Sequence, residues 1–199
     1  MATSTGHSRW VTGPDARERS HILRSHHDAV AVGIGTALAD DPRLDARIEG
    51  ASQPWHVVFD SGLRLPGDAR LIVPEKTLVL CAPGADREGR AALEAAGARV
   101  VEVPRAERGL DITAALDACA TAGLLSVFVE GGPTLAASFL RSGHVNRVYA
   151  FIAPKLLGTG LDAVGDLTAG TMDDALQLRD PELERCGSDW MITGTLRDA

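Results

Sequence analysis

Residues 33–44 read Gly33-Ile34-Gly35-Thr36-Ala37-Leu38-Ala39-Asp40-Asp41-Pro42-Arg43-Leu44, directly after the apolar run Ala29-Val30-Ala31-Val32. Such a run reads as a buried strand, and the glycines at its end permit a close backbone approach. Strand ends of this kind are where open α/β sheets bind their ligands. Glycines also close ordinary strand-to-helix turns, so the segment sets a fold class before it sets a site. A strand over 28–34 is expected, with Thr36, Asp40 and Asp41 close behind it. Paired acids there also suit the start of a helical turn, where they complement its dipole. On that ground Asp41 is left outside the site.

Working outward, the same unit recurs. Apolar runs predict strands over 55–59, 77–81, 99–103, 125–129 and 148–152. Between them lie helical patterns over 86–96, 110–122 and 133–140, the first two closed by Gly97 and Gly123. Pro14 suits the first position of an earlier helix that runs over 15–26 with Ile22 and Leu23 inward. Alternation of this kind predicts a largely parallel sheet with helices on both faces. The tail differs: 175–178 and 190–196 are β-rich with no helix between them, and predict an antiparallel C-terminal edge.

With 199 residues the chain is expected to form one α/β domain over 1–199. Its 45% hydrophobic and 24% charged residues are ordinary globular values. A net charge of -7 and a pI near 5.3 argue against a nucleic-acid face. An acidic chain binds phosphorylated ligands through local arginines and helix N-termini. Cys81, Cys119 and Cys186 lack CxxC spacing and read as reduced thiols, and the six histidines lack ligand spacing, so no metal site is expected. No run reaches transmembrane length and no signal-peptide pattern opens the chain, so a cytoplasmic protein without membrane contacts is expected.

A second ligand-type turn is Val129-Glu130-Gly131-Gly132-Pro133-Thr134-Leu135. Paired glycines remove side chains, Pro133 pre-sets the first helical turn, and free N–H groups at such a helix start favour a phosphate or pyrophosphate. A lone Gly-Gly is equally a tight connection with nothing bound. Glu130 tips the balance, because a carboxylate at a strand end in a glycine-lined cleft can accept hydrogen bonds from the N–H groups of a heterocycle. Neither GxGxxG in full nor a P-loop occurs, which disfavours a standard Rossmann domain.

Five segments occur in one order: Ser8-Arg9-Trp10-Val11-Thr12-Gly13-Pro14, 33–44, Val58-Phe59-Asp60-Ser61, 130–135 and Ile152-Ala153-Pro154-Lys155-Leu156-Leu157-Gly158. Together they resemble the reductase domain of the bifunctional riboflavin-biosynthesis deaminase/reductase, over nearly the whole chain. The resemblance implies a dihydrofolate-reductase-like fold, a homodimer, and NADPH-dependent reduction of 5-amino-6-(5-phosphoribosylamino)uracil, a small phosphorylated pyrimidine, from ribosyl to ribityl. It implies that Trp10, Thr36, Asp40 and Ser61 contact the cofactor. The same holds for Gly131, Gly132, Pro133, Thr134, Leu135, Ala136, Ala137 and Ser138. Ser8, Arg24, Leu44, Arg47 and Glu130 match its substrate positions, with Arg24 and Arg47 suited to a substrate phosphate. Asp40 and Glu130 are the carboxylates assigned to catalysis, Asp40 toward the cofactor and Glu130 toward the base. Lys155 is read as ending an edge strand, and Trp190 as core or interface.

Two departures from that family stand out. His-x-Glu with Pro-Cys-x-x-Cys, the zinc-deaminase signature, does not occur in the chain. The family's first strand and its Ser-Leu-Asp-Gly turn lie before the segment that corresponds to residues 1–6, so the first strand is expected to be missing here. Alternatives within the resemblance are a reductase acting on a 2,5-diamino-pyrimidinone or another substrate, and a non-catalytic nucleotide-binding remnant. Met1 is expected to be an internal methionine of a longer natural chain. Intact-mass measurement of the protein from its native host is then expected to exceed 20.9 kDa, and a mass equal to that value overturns the expectation.

Overall fold

The computed structural model describes residues 2–196. Met1, on which the expectation about the chain start falls, lies outside them. In chain order the elements are β1 (Ala2–Thr3), α1 (Pro14–Ser25), β2 (Ala29–Gly33), α2 (Ile34–Asp40), β3 (Trp55–Phe59), β4 (Thr77–Cys81) and α3 (Arg87–Ala95). They continue as β5 (Arg99–Glu102), α4 (Ile112–Thr121), β6 (Val127–Val129), α5 (Pro133–Ser142), β7 (Arg147–Ile152), β8 (Gly160–Leu161), β9 (Arg179–Cys186) and β10 (Asp189–Thr195).

A five-stranded parallel sheet in the order β5-β4-β3-β2-β6 forms the centre. Strand period two divides its side chains between two cores. Ala29, Ala31, Val57, Phe59, Leu78 and Leu80 face α4 and α5, where Ile112, Ala115, Cys119, Leu135 and Phe139 close over them. Val30, Val32, Val58, Val79 and Cys81 face the other way, against Ile34 and Ala37 of α2 and Leu93 of α3. Burial on both faces explains why these strands read as continuous apolar runs. Asp86 and Asp111 cap α3 and α4 by accepting from Gly89 N–H and Ala114 N–H.

The chain runs outward from β2 through β3, β4 and β5, then returns to lay β6 on the opposite side of β2. That reversal is a topological switch point, and the crevice it opens lies beyond the carboxyl ends of β2 and β6. Asp28 holds the two strands in register: its carboxylate accepts from Leu125 N–H, Ser126 N–H and the Ser126 hydroxyl.

The antiparallel part is a separate three-stranded sheet, β7-β10-β9, and β1 pairs with β8 in a two-residue ladder. Helix α1 packs on the three-stranded sheet through Ala16, Cys186 and Met191. The two larger sheets meet where the Phe128 ring of β6 stands edge-on to Tyr149 of β7, centroids 6.2 Å apart. One expected element is corrected. The residues 175–178 form no strand; β9 follows them, with the polar sequence Arg-Asp-Pro-Glu-Leu-Glu-Arg-Cys. An edge strand exposed along most of its length carries no apolar run to announce it. Its partner β10 supplies the pairing, with a register shift between Thr193 and Thr195.

His56 of β3 is buried and its Nδ1 lies 2.6 Å from the Leu71 carbonyl. Burial pushes its pKa below the ordinary 6.5, partly opposed by that hydrogen bond, so the folded protein holds the imidazole neutral. Proton uptake then favours the unfolded chain, and the contribution present above pH 6.5 is lost as pH falls toward the depressed folded value. Thermal unfolding midpoints are expected to decline from about pH 7 to about pH 5, with a shallower decline in His56→Gln. An unchanged slope in the variant counts against the assignment.

Candidate active site

Both glycine turns read from sequence emerge at the switch point. Glu130 N–H donates to Ala31 O at 2.8 Å, which sets the Glu130-Gly131-Gly132 turn beside the end of β2. Gly131 and Gly132 have φ of +71° and +79°. A Cβ on Gly132 would lie 3.0 Å from Thr36 Oγ1, and one on Gly131 would lie 3.3 Å from Thr36 Cγ2. Thr36 therefore packs directly against this turn, and only glycine allows it so close. At the start of α5, Gly132 provides no side-chain cap. The N–H groups of Gly131, Gly132, Thr134 and Leu135 donate to nothing among the described residues. Those four donors make an anion-ready concavity. Leu135 and Ala137 turn their side chains into the core, so of the stretch 131–138 these two offer a ligand backbone only.

Glu130 is held by α1. Arg24 Nε donates to Glu130 Oε1 at 2.7 Å and Arg24 Nη2 to Oε2 at 2.6 Å, a bidentate fork. Ser20, one turn earlier on the helix, donates its hydroxyl to Oε1 at 3.3 Å. The third guanidinium nitrogen, Nη1, donates to the Asp45 carbonyl at 2.9 Å. The two side chains are only 12% and 20% exposed, which makes this a largely desolvated pair. Arg24, expected to suit a phosphate, thus spends its fork on Glu130. Arg47 is exposed and, among the described residues, bonds only the Asp45 carboxylate, at 3.1 Å, leaving it the freer of the two guanidinium groups. Burial works to raise the Asp45 pKa, but the hydrogen bond from Arg47 and the charges of Arg47 and Arg24 bring it below the usual carboxylate value.

The remaining expected residues sit on other elements and loops. Ser61 follows the carboxyl end of β3 in the turn that carries Asp60. Asp40 ends α2 and is exposed. The paired acids do not start a helical turn: they close α2, Asp41 adopts a left-handed conformation, and its carboxylate accepts from Arg70 N–H at 2.9 Å. That bond stabilises acids at a helix end whose dipole opposes them. Leu44 is 2% exposed, packed in the core beneath α2, so a ligand would meet only its backbone. Ser8 is half-buried, and Trp10 is 64% exposed with the Arg17 guanidinium 4.3 Å from its ring centre.

Sequence reasoning missed three members of this neighbourhood. Lys155 does more than end a strand: its ammonium donates to the carbonyls of Trp10 and Val11, at 2.6 and 2.8 Å, and ties the two loops together. Ser20 and Asp45 had no motif. The only available signal for Ser20 was its i,i+4 spacing to Arg24, which places both on one helix face.

A parallel sheet covered on both faces, with a glycine turn and a carboxylate–guanidinium pair at its switch point, defines a doubly wound α/β protein with its crevice beyond β2 and β6. A model of the RibD C-terminal domain matches residues 1–192, and the chain belongs to that family. It is 32% identical over 193 residues to the riboflavin biosynthesis protein RibD of Aquifex aeolicus, covering 96% of this chain and 53% of that protein. Acinetobacter baumannii RibD superposes with a TM-score of 0.82 at 26% identity, over 98% of this chain and 54% of the other. A Thermotoga maritima protein described as a diaminohydroxyphosphoribosylaminopyrimidine deaminase/5-amino-6-(5-phosphoribosylamino)uracil reductase shares the fold, with a TM-score of 0.72 at 24% identity over 98% and 52% of the chains. The chain spans about half the length of these relatives.

Gly132→Ala tests the close approach. The added methyl meets Thr36 Oγ1 at a positive φ, and the cost expected from chemical unfolding is about 1–2 kcal/mol. A neutral substitution would show that the turn has room to spare.

Proposed function

We propose that this domain uses NADPH to reduce the ribosyl group of 5-amino-6-(5-phosphoribosylamino)uracil to ribityl, a step of riboflavin synthesis. The observation that carries the proposal is the convergence at one switch point of an anion-ready glycine turn and a carboxylate held by an arginine fork. Family membership and the name of the Aquifex relative support the same pathway. NADPH, when bound, supplies the hydride.

The chain's own residues orient and recognise. The free N–H groups of 131–135 suit a pyrophosphate, as do the Thr36 hydroxyl beside them and the Ser61 turn. Trp10 offers an exposed aromatic face at the rim. Glu130 already accepts from Arg24 and Ser20, yet a carboxylate has about four acceptor positions. Three of them are taken by Arg24 and Ser20; the one left over takes an N–H of the pyrimidine ring, while Arg47 takes the phosphate. Asp40 lies toward the cofactor side. We assign the protein to the cytoplasm, and no described helix is long and apolar enough to cross a membrane.

A homodimer accords with the outer face of the antiparallel sheet. Ile152 pairs with Trp190, and Leu183 with Ile192, placing four apolar side chains on the face opposite α1. Ile152, Leu183 and Trp190 are exposed there.

Oxidation of NADPH in the presence of the ribosylaminouracil phosphate tests the reaction. Glu130→Gln is expected to lower kcat/KM for the pyrimidine by about 100-fold, a loss typical of a site built around a charged hydrogen bond, with little change in NADPH affinity. Equal loss of both overturns the role given to Glu130. Absence of turnover together with no thermal stabilisation by NADPH or NADH overturns the reductase assignment.

A further inference from the structure

The turn over 60–65, after β3, presents a guanidinium on a fixed backbone. Asp60 is completely buried: its Oδ2 accepts from Leu65 N–H at 2.8 Å, and its carbonyl accepts from Leu63 N–H at 3.2 Å. Ser61 O accepts from Ala82 N–H at 3.2 Å, which ties the turn to the end of β4. Leu63 and Leu65 are buried, and Leu63 holds a left-handed φ of +57° that an unsupported turn would relax. Helix α3 packs on the same residue so closely that a Cβ on Gly89 would lie 2.6 Å from Leu63 O. Between the two buried leucines, Arg64 is turned outward.

The Arg64 side chain folds back over this turn. A Cβ on Gly62 would lie 3.8 Å from its Cγ, and its Nε lies 4.0 Å from Asp60 Oδ1. It is 64% exposed, and its Nη1 and Nη2 have no partner among the described residues. Arg24 and Arg90, by contrast, are spent on Glu130 and Glu102. At such strand ends an acid that accepts from a ribose 2′-hydroxyl favours NAD, and an arginine favours the 2′-phosphate of NADP. Here the acid, Asp60, is sealed inside and the arginine faces out, which selects the phosphate. The neighbouring strands run β3-β2-β6, so the end of β3 lies two strand spacings, about 10 Å, from the 131–135 turn. That span is comparable with the separation of the pyrophosphate from the 2′-phosphate in an extended dinucleotide. In a chain of net charge -7, a dianionic group needs such a local cation.

We propose that Arg64 is a specificity-determining residue that binds the 2′-phosphate of the cofactor and makes the protein prefer NADPH to NADH. The proposal rests on the reductase reading for the identity of the dinucleotide. Its test needs no pyrimidine.

Calorimetric titration with NADPH and, separately, with NADH decides. The parent is expected to bind NADPH at least about tenfold more tightly than NADH. Arg64→Gln is expected to raise the NADPH Kd about 20-fold, the scale of a charge-assisted hydrogen bond, and to leave the NADH Kd within about twofold. Arg64→Lys, which keeps the charge and loses the fork, is expected to recover part of the NADPH affinity. A purely structural role through Asp60 would weaken both nucleotides alike. Equal losses therefore overturn the proposal, as do an unchanged NADPH Kd, a parent without preference, or a Lys variant no better than Gln. A parent that binds neither dinucleotide overturns the cofactor reading, and adenosine 2′,5′-bisphosphate then decides on Arg64 by itself. About tenfold weaker binding to Arg64→Gln than to the parent sustains the phosphate contact. Equal binding by both proteins, or none by the parent, refutes it.

Discussion

The bidentate pair between Arg24 and Glu130 is the constraint on which the crevice depends. It joins three segments far apart in sequence: the helix α1, the loop that carries Asp45, and the turn after β6. With both side chains mostly withdrawn from water, neither is stable alone, because breaking such a pair leaves an uncompensated charge in a poorly solvated place. The pair therefore fixes where α1 sits relative to the central sheet, and with it Ser20. It also fixes the direction in which the Glu130 carboxylate presents its remaining acceptor position. Recognition and architecture share one interaction here.

A second constraint acts beside it. Gly131 and Gly132 let the turn after β6 come to van der Waals distance of Thr36 on α2, and the parallel pairing of β2 with β6 makes them neighbours. The two turns are about 95 residues apart in sequence, yet they form one wall. The loop that carries Lys155 binds the Trp10 turn, and Gly165 N–H donates to Pro133 O. The segment between β7 and β9 thus touches both the rim and the start of α5, which ties it to the site.

Much of the fold was legible because the buried strands are apolar on both faces and helices α3, α4 and α5 carry a capping residue or a closing glycine, whereas α2 has neither and was not expected as a helix. The Ala29–Gly33 strand, the two capped helices α3 and α4, and the Gly132-Pro133 helix start all follow from local chemistry. The strand β9 was illegible for the converse reason. Its side chains are mostly charged and exposed, and only pairing with β10 makes it extended. The Asp40-Asp41 pair misled in the same way. Acids suit a helix start, and nothing local revealed that Arg70 N–H, 29 residues on, would hold Asp41 at the helix end.

For the site, the sequence by itself determined which residue types were available and at which strand ends: the glycine turns, Glu130, Thr36 and the arginines. Local backbone preferences and strand period suffice for that, because they act between near neighbours. Only the tertiary structure decided who meets whom. It gave the fork of Arg24 to Glu130, turned Leu44 into the core and made Lys155 a clamp on the Trp10 loop. Those outcomes depend on distances between segments brought together by sheet order, which no local pattern encodes.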